Sequence, residues 1–137
     1  MDRLRLEIMR DEGRSLQMYL DTESKWTVGY GRNLSQRGIS EDEAEYLLDN
    51  DITIAIKDAQ QEWAEFWDDL SRIRREVLVN MTFNMGRGRF RRDKWPGLEG
   101  ALLSRDYEKA GDEMMDSLWA RQVGDRAHRL AVNMRGG

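Results

Sequence analysis

Two carboxylates and a hydroxyl near the start of the chain have the types and spacing for hydrolytic chemistry. Glu12 ends an N-terminal helical pattern, and Asp21 follows nine positions later in the turn-like Asp21-Thr22-Glu23-Ser24. Thr27 then lies in the run Trp26-Thr27-Val28-Gly29-Tyr30-Gly31. Cleavage of a glycosidic bond needs such a pair. One carboxyl group keeps its proton and gives it to the leaving oxygen, while the other stays ionised and either activates water or attacks the sugar. In a chain that is 35% charged, two acids at this separation are common, so their surroundings must carry the argument. Gly13 directly after Glu12 is a helix stop that leaves the carboxylate at an element end. Tyr19 and Trp26 fit two antiparallel strands with residues 21–24 as their connection. Such a hairpin would hold Asp21 and Thr27 near each other, with Thr27 bonding a water that Asp21 polarises.

The elements that must position these groups are mostly helical. Leu4, Leu6 and Ile8 mark a short amphipathic helix ending near Glu12. A hairpin region extends to about Asn33, and Leu34–Gly38 reads as a brief loop. Ser40-Glu41-Asp42-Glu43 is a capping box: the serine accepts a backbone N–H, and the glutamate three residues on reaches back. The acids of that first turn also suit the helix dipole. The helix it starts carries Ala44, Leu47, Leu48, Asp51, Ala55 and Ala59 near one stripe and runs to about residue 60. Trp63, Phe66, Trp67 and Leu70 form an aromatic helix face, expected in the core. Ser71 caps the next helix, whose apolar face is Ile73, Val77, Leu78, Met81 and Met85 before Gly86 stops it. Asn80 and Asn84 in that helix are expected to face solvent or bond nearby backbone, unless a function gives them another use. Trp95-Pro96-Gly97 reads as a turn, followed by short helices at about 98–104 and 106–116 and a last one at about 125–134.

The order of these residues resembles the phage-type lysozymes, glycoside hydrolase family 24. The resemblance rests on Asp11-Glu12-Gly13, Tyr19, Asp21-Thr22-Glu23 and Thr27 with Gly29 and Gly31. It continues through Asn80-Met81, Phe83 and Met85-Gly86, and then Ser117, Trp119, Arg126 and Arg129. It implies an α+β, mostly helical, two-lobed fold: a small β-containing lobe (about 13–60) and a helical lobe (about 61–137 with the N-terminal helix 1–12). A long helix would join the lobes, with a cleft between them, in one catalytic domain over 1–137. It also implies a muramidase cutting the β-1,4 bond between N-acetylmuramic acid and N-acetylglucosamine in bacterial peptidoglycan. Glu12 would be the general acid, with Asp21 and Thr27 placing the water. Members of this type invert the anomeric centre, which implies carboxyl groups roughly 6.5–9.5 Å apart. Arg32, Asn33, Phe83 and Asn84 fall among the sugar-binding positions, and Arg126 resembles the arginine that orients the catalytic glutamate. Arg32 and Asn33 depart from the histidine and leucine usual there. Arginine keeps a charge pair but does not titrate near neutrality. The loop at 34–38 is also shorter than the family's usual connection.

Composition bounds the alternatives. One hundred and thirty-seven residues is a single-domain length. With no cysteine and one histidine, a disulfide framework is excluded and a structural zinc site is not expected. Asp49-Asn50-Asp51 lacks the glycine and closing glutamate of a calcium loop, His128 is assigned no role, and no cofactor is expected. The start of the chain has no apolar stretch of signal-peptide length, so the expectation is a soluble, monomeric endolysin made in the host cytoplasm and released to the wall by a holin. The net charge of −4 is segregated: residues 35–70 carry two cations and eleven anions, residues 71–137 fourteen cations and nine anions. That pattern argues against a general nucleic-acid binder, although residues 87–94 hold five cations and one anion. Two rivals remain. One is a lytic transglycosylase on the same bond, and the other is a non-catalytic module binding wall or nucleic acid through Arg87–Lys94.

Overall fold

The N-terminal pattern forms α1 (Asp2–Glu12), and it stops where a side chain would be strained. Gly13 takes φ +71°, and its N–H closes the last turn onto the Met9 carbonyl at 3.0 Å. Three short antiparallel strands follow in the order β1 (Ser15–Leu20), β2 (Trp26–Gly29) and β3 (Arg32–Asn33). Tyr19 lies opposite Thr27 and Leu20 opposite Trp26, while Thr27 and Val28 face Asn33 and Arg32 on the other side. The β1–β2 register shifts between Ser15 and Tyr19, so β1 bends locally as bulged strands do.

The expected loop at 34–38 is instead a one-turn helix, α2 (Leu34–Arg37). Asn33 makes it: its Oδ1 accepts from the Gln36 N–H at 3.0 Å, and its Nδ2 donates to Gln36 Oε1 at 3.1 Å. The capping box forms as the sequence predicts. Ser40 N–H donates to Glu43 Oε1 at 2.8 Å and Glu43 N–H donates to Ser40 Oγ at 3.2 Å, opening α3 (Glu41–Glu62). Of the stripe expected along α3, Ala55 and Ala59 are buried, whereas Leu47 and Leu48 are about half exposed.

The structure describes residues 1–137 in a computed structural model that divides into two compact units, Met1–Leu47 and Leu48–Gly137. The second unit holds the aromatic core. Trp63 sits between α3 and the one-turn α4 (Ala64–Trp67), so the expected aromatic face is split over a helix break. Its core role is as expected: Trp63, Phe66 and Leu70 are buried. Ser71 accepts the Arg74 N–H and caps α5 (Arg72–Met85). Val77, Leu78 and Met81 point inward from it, while Ile73 stays exposed, contrary to the stripe drawn from its spacing.

Pro96 is not a turn residue but the first residue of α6 (Pro96–Leu103), where its missing N–H costs nothing. There follow α7 (Tyr107–Met115), α8 (Leu118–Val123) and α9 (Asp125–Gly136). Sequence spacing missed α8, whose cap is Ser117 accepting the Ala120 N–H at 3.1 Å. Arg74 on α5 closes the far end of α9, donating to the Met134 and Arg135 carbonyls at 2.7 and 2.9 Å. Those carbonyls have no partner inside the helix. The chain is thus α+β and mostly helical, and no helix is long and apolar enough to cross a membrane.

Phe90 anchors this core. It is fully buried, with ring centroids 5.0 Å from Trp63 and 5.3 Å from Trp95, the latter edge-on, a favoured aromatic geometry. Phe90→Ala should destabilise the protein by ~3–5 kcal/mol, the usual cost of a large ring deleted from a packed core. Denaturant titration of the variant against the wild type measures it.

Candidate active site

Glu12 is the last residue of α1, and its exposed carboxyl group reaches the turn between β2 and β3. There it lies against Gly31. A Cβ built on Gly31 would stand 2.8 Å from Glu12 Oε2 and 3.1 Å from its Cδ, and Gly31 takes φ +77°. The backbone conformation favours glycine, and a side chain there would have to push the Glu12 carboxyl aside.

Asp21 is locked by its own turn. Its Oδ1 accepts the N–H groups of Glu23 and Lys25 at 2.8 and 2.9 Å, and its backbone N–H donates to the Lys25 carbonyl at 2.9 Å. This is the side-chain mimicry of a backbone turn that aspartate favours. Thr27, on the central strand, is one of two buried polar residues in the whole chain. Its Oγ1 donates to the Lys25 carbonyl at 3.0 Å, so its lone pairs can accept from a further donor. Lys25 thus links the two: its N–H holds Asp21, its carbonyl holds Thr27.

Arg32 and Asn33 spend their side chains inside the first unit. Asn33 caps α2, as above. Arg32 grips Glu43 with both ends of its guanidinium, Nη1 to Oε1 at 2.9 Å and Nη2 to Oε2 at 2.6 Å, and Nη1 also donates to the Gly38 carbonyl at 3.1 Å. The two-point grip is the geometry in which arginine and carboxylate bind best. It is held first by the Arg32 hydrogen bonds and then by the Ser40 N–H, and the Glu43 carboxyl drops from the ordinary 4.5 to about 2. Beside this pair is a hollow of about 640 Å³, lined among others by Val28, Gly31, Ile39 and Tyr46. Glu12, Asp21 and Thr27 do not line it.

In the second unit, Phe83 is an exposed ring on α5, and it borders a hollow of about 400 Å³ with Ile52, Ile56, Asn80 and Arg126. Asn84 faces solvent, as one of the two expectations had it, and Asn80 is half-buried; the oxygens of both bond side chains rather than backbone. Asn80 Oδ1 accepts from Arg126 Nε and Nη2 at 3.0 and 2.7 Å, and Asn84 Oδ1 accepts from Trp119 Nε1 at 2.8 Å. The basic run 87–94 is bound within the unit: Arg87 to Gln61 and Glu62, Arg91 to Asp93, and Arg92 to Glu65 and Glu99. Its net charge in the sequence thus overstates what it offers a polyanion.

The first unit thus holds an acid beside a hairpin glycine, with a turn aspartate and a buried threonine on the same hairpin. Residues 9–134 match the phage lysozyme family. The chain belongs to that family. Its fold is accordingly of the lysozyme type, and its membership supports a glycosidase of the lysozyme kind. Two similar proteins are "Probable T4-type lysozyme 1" and "Probable T4-type lysozyme 2" of Dictyostelium discoideum. They are 26% and 25% identical over 88% of this chain and 86% of each relative. A third is "Pre-baseplate central spike protein Gp5" of Enterobacteria phage T4, 30% identical over 91% of this chain. The chain spans only 26% of that spike protein's length.

Neither the Gly31 seat nor the Arg32–Glu43 grip was named from sequence. The glycine was counted only as a family match, and Glu43 only as half of a capping box. The linkage of Glu43 has a defined sign. A carboxyl whose folded pKa lies below its unfolded value adds stability above the unfolded value and loses it as pH falls through the folded one. The difference in melting temperature between wild type and Glu43→Gln should therefore be largest above about pH 4.5 and shrink towards zero near pH 2. Thermal unfolding across that range measures it.

Proposed function

We propose that the protein is a muramidase that hydrolyses the β-1,4 bond between N-acetylmuramic acid and N-acetylglucosamine in bacterial peptidoglycan. The observation that carries this reading is the placement of Glu12 against Gly31, on the hairpin that bears Asp21 and Thr27, in a chain of the phage lysozyme family.

In this reading Glu12 gives its proton to the glycosidic oxygen as the bond to the anomeric carbon breaks. Water supplies the new bond. Asp21 Oδ1 is already committed to two backbone N–H groups, which fixes the carboxylate and leaves Oδ2 to accept from the water. Thr27 Oγ1, having given its own hydrogen to Lys25, accepts the water's second hydrogen. A water held by two acceptors presents its lone pair to the carbon and passes one proton to Asp21. Attack from the face opposite Glu12 inverts the centre, as two carboxyl groups separated by a water do. Phe83 offers an apolar ring to a sugar face, and Asn84 keeps its Nδ2 as a donor. As an endolysin, the protein would reach the wall once a holin opens the inner membrane.

Glu12→Gln keeps the size of the side chain and removes the acid. It should slow the clearing of a murein suspension by ~10²–10⁴, the usual worth of a positioned proton donor, with an unchanged circular dichroism spectrum. Clearing at the wild-type rate would take Glu12 out of the mechanism.

A further inference from the structure

Within the first unit no hydrogen bond or ion pair holds the Glu12 carboxyl group, and the group is exposed. The group lies beside the bare backbone of Gly31, where an ideal Cβ would stand 2.8 Å from its Oε2. Gly31 is itself weakly held on one side. The strand that follows it, β3, has two residues, paired to β2 only through Val28–Arg32 and Thr27–Asn33, and so short a strand adds little stability of its own.

The stronger tether is a side chain. Arg32, the next residue after Gly31, is bound at two points to Glu43 and at a third to the Gly38 carbonyl. Glu43 in turn is fixed by the Ser40 N–H in the first turn of a 22-residue helix. We propose that Glu43 is a positioning residue for the reaction: through Arg32 it pins the Gly31 turn to the start of α3, and so sets where the Glu12 carboxyl rests. The inference builds on the reading of Glu12 as the acid, and it adds a residue that touches neither sugar nor water. The chain of dependence runs from Glu43 in the first turn of α3 to Arg32, Gly31 and Glu12, residues all within Met1–Leu47.

A purely structural ion pair would lower stability and leave the acid's environment alone. The test separates the two by reading Glu12 directly. The carboxyl carbon of Glu12 is followed by NMR through a pH titration in wild type, Glu43→Gln and the control Glu45→Gln, alongside kcat and KM on soluble murein fragments. Glu43→Gln should move the Glu12 titration midpoint and lower kcat by ~10–10²-fold with KM nearly unchanged, the scale expected when a reacting group is misplaced by about an ångström. Glu45→Gln should do neither. If Glu43→Gln fails to fold, Arg32→Lys, which keeps the charge and loses the two-point grip, is read in the same way. A Glu12 midpoint and a kcat equal to wild type in the folded variant would overturn the proposal. If instead Glu12→Gln proves fully active, the function above fails, while movement of the Glu12 midpoint in Glu43→Gln would still show the tether.

Discussion

The carboxyl group of Glu12 lies beside Gly31, a hairpin position that has no side chain. Oε2 is 2.8 Å from where a Cβ would stand at Gly31, so a side chain there would push the acid aside, and the turn's φ of +77° favours glycine. Several local features serve that contact. Gly13 ends α1 so that Glu12 is its last residue, and the register of β2 with β3 places Gly31 in the turn between them. Arg32, held by Glu43 and Gly38, keeps that turn from drifting. The same hairpin delivers the other two groups, because Lys25 bonds both Asp21 and Thr27. One short strand-turn-strand segment thus carries the second acid, the hydroxyl and the seat of the first acid.

Charge is arranged to hold elements together more than to attract a partner. The acidic start of α3 suits the positive end of its dipole, and one of those acids doubles as the anchor of Arg32. In the second unit the cationic run after α5 is bound to Gln61, Glu62, Glu65, Asp93 and Glu99. Burial of Arg92 works against its charge, yet the bonds to Glu65 and Glu99 outweigh it and hold its pKa above the ordinary value. A segment that reads as a basic patch is, in three dimensions, a brace between neighbouring helices.

What the sequence made legible follows from the range of the interactions involved. Local signals were readable: the capping box at Ser40, the Ser71 cap, the Gly13 stop and the Asp21 turn each depend on residues within four positions. Errors arose where a local signal was ambiguous. Pro96 suits a turn and a helix start equally, and Asn33 became a cap for a helix too short to show periodicity. Contacts between distant positions were opaque. Glu12 against Gly31, Arg32 with Glu43, Arg126 with Asn80 and Trp119 with Asn84 join residues 11 to 46 apart or more than one element away, and no spacing rule encodes them. The surroundings of Asp21 and Thr27 are legible because each bonds within its own turn, to residues at most four positions away.

If Glu12 gives its proton while water attacks the anomeric carbon, murein digested in water enriched in heavy oxygen gains new reducing-end N-acetylmuramic acid that carries one heavy oxygen, read by mass spectrometry of the muropeptides. New anhydro ends, lighter by one water and free of the label, would contradict it.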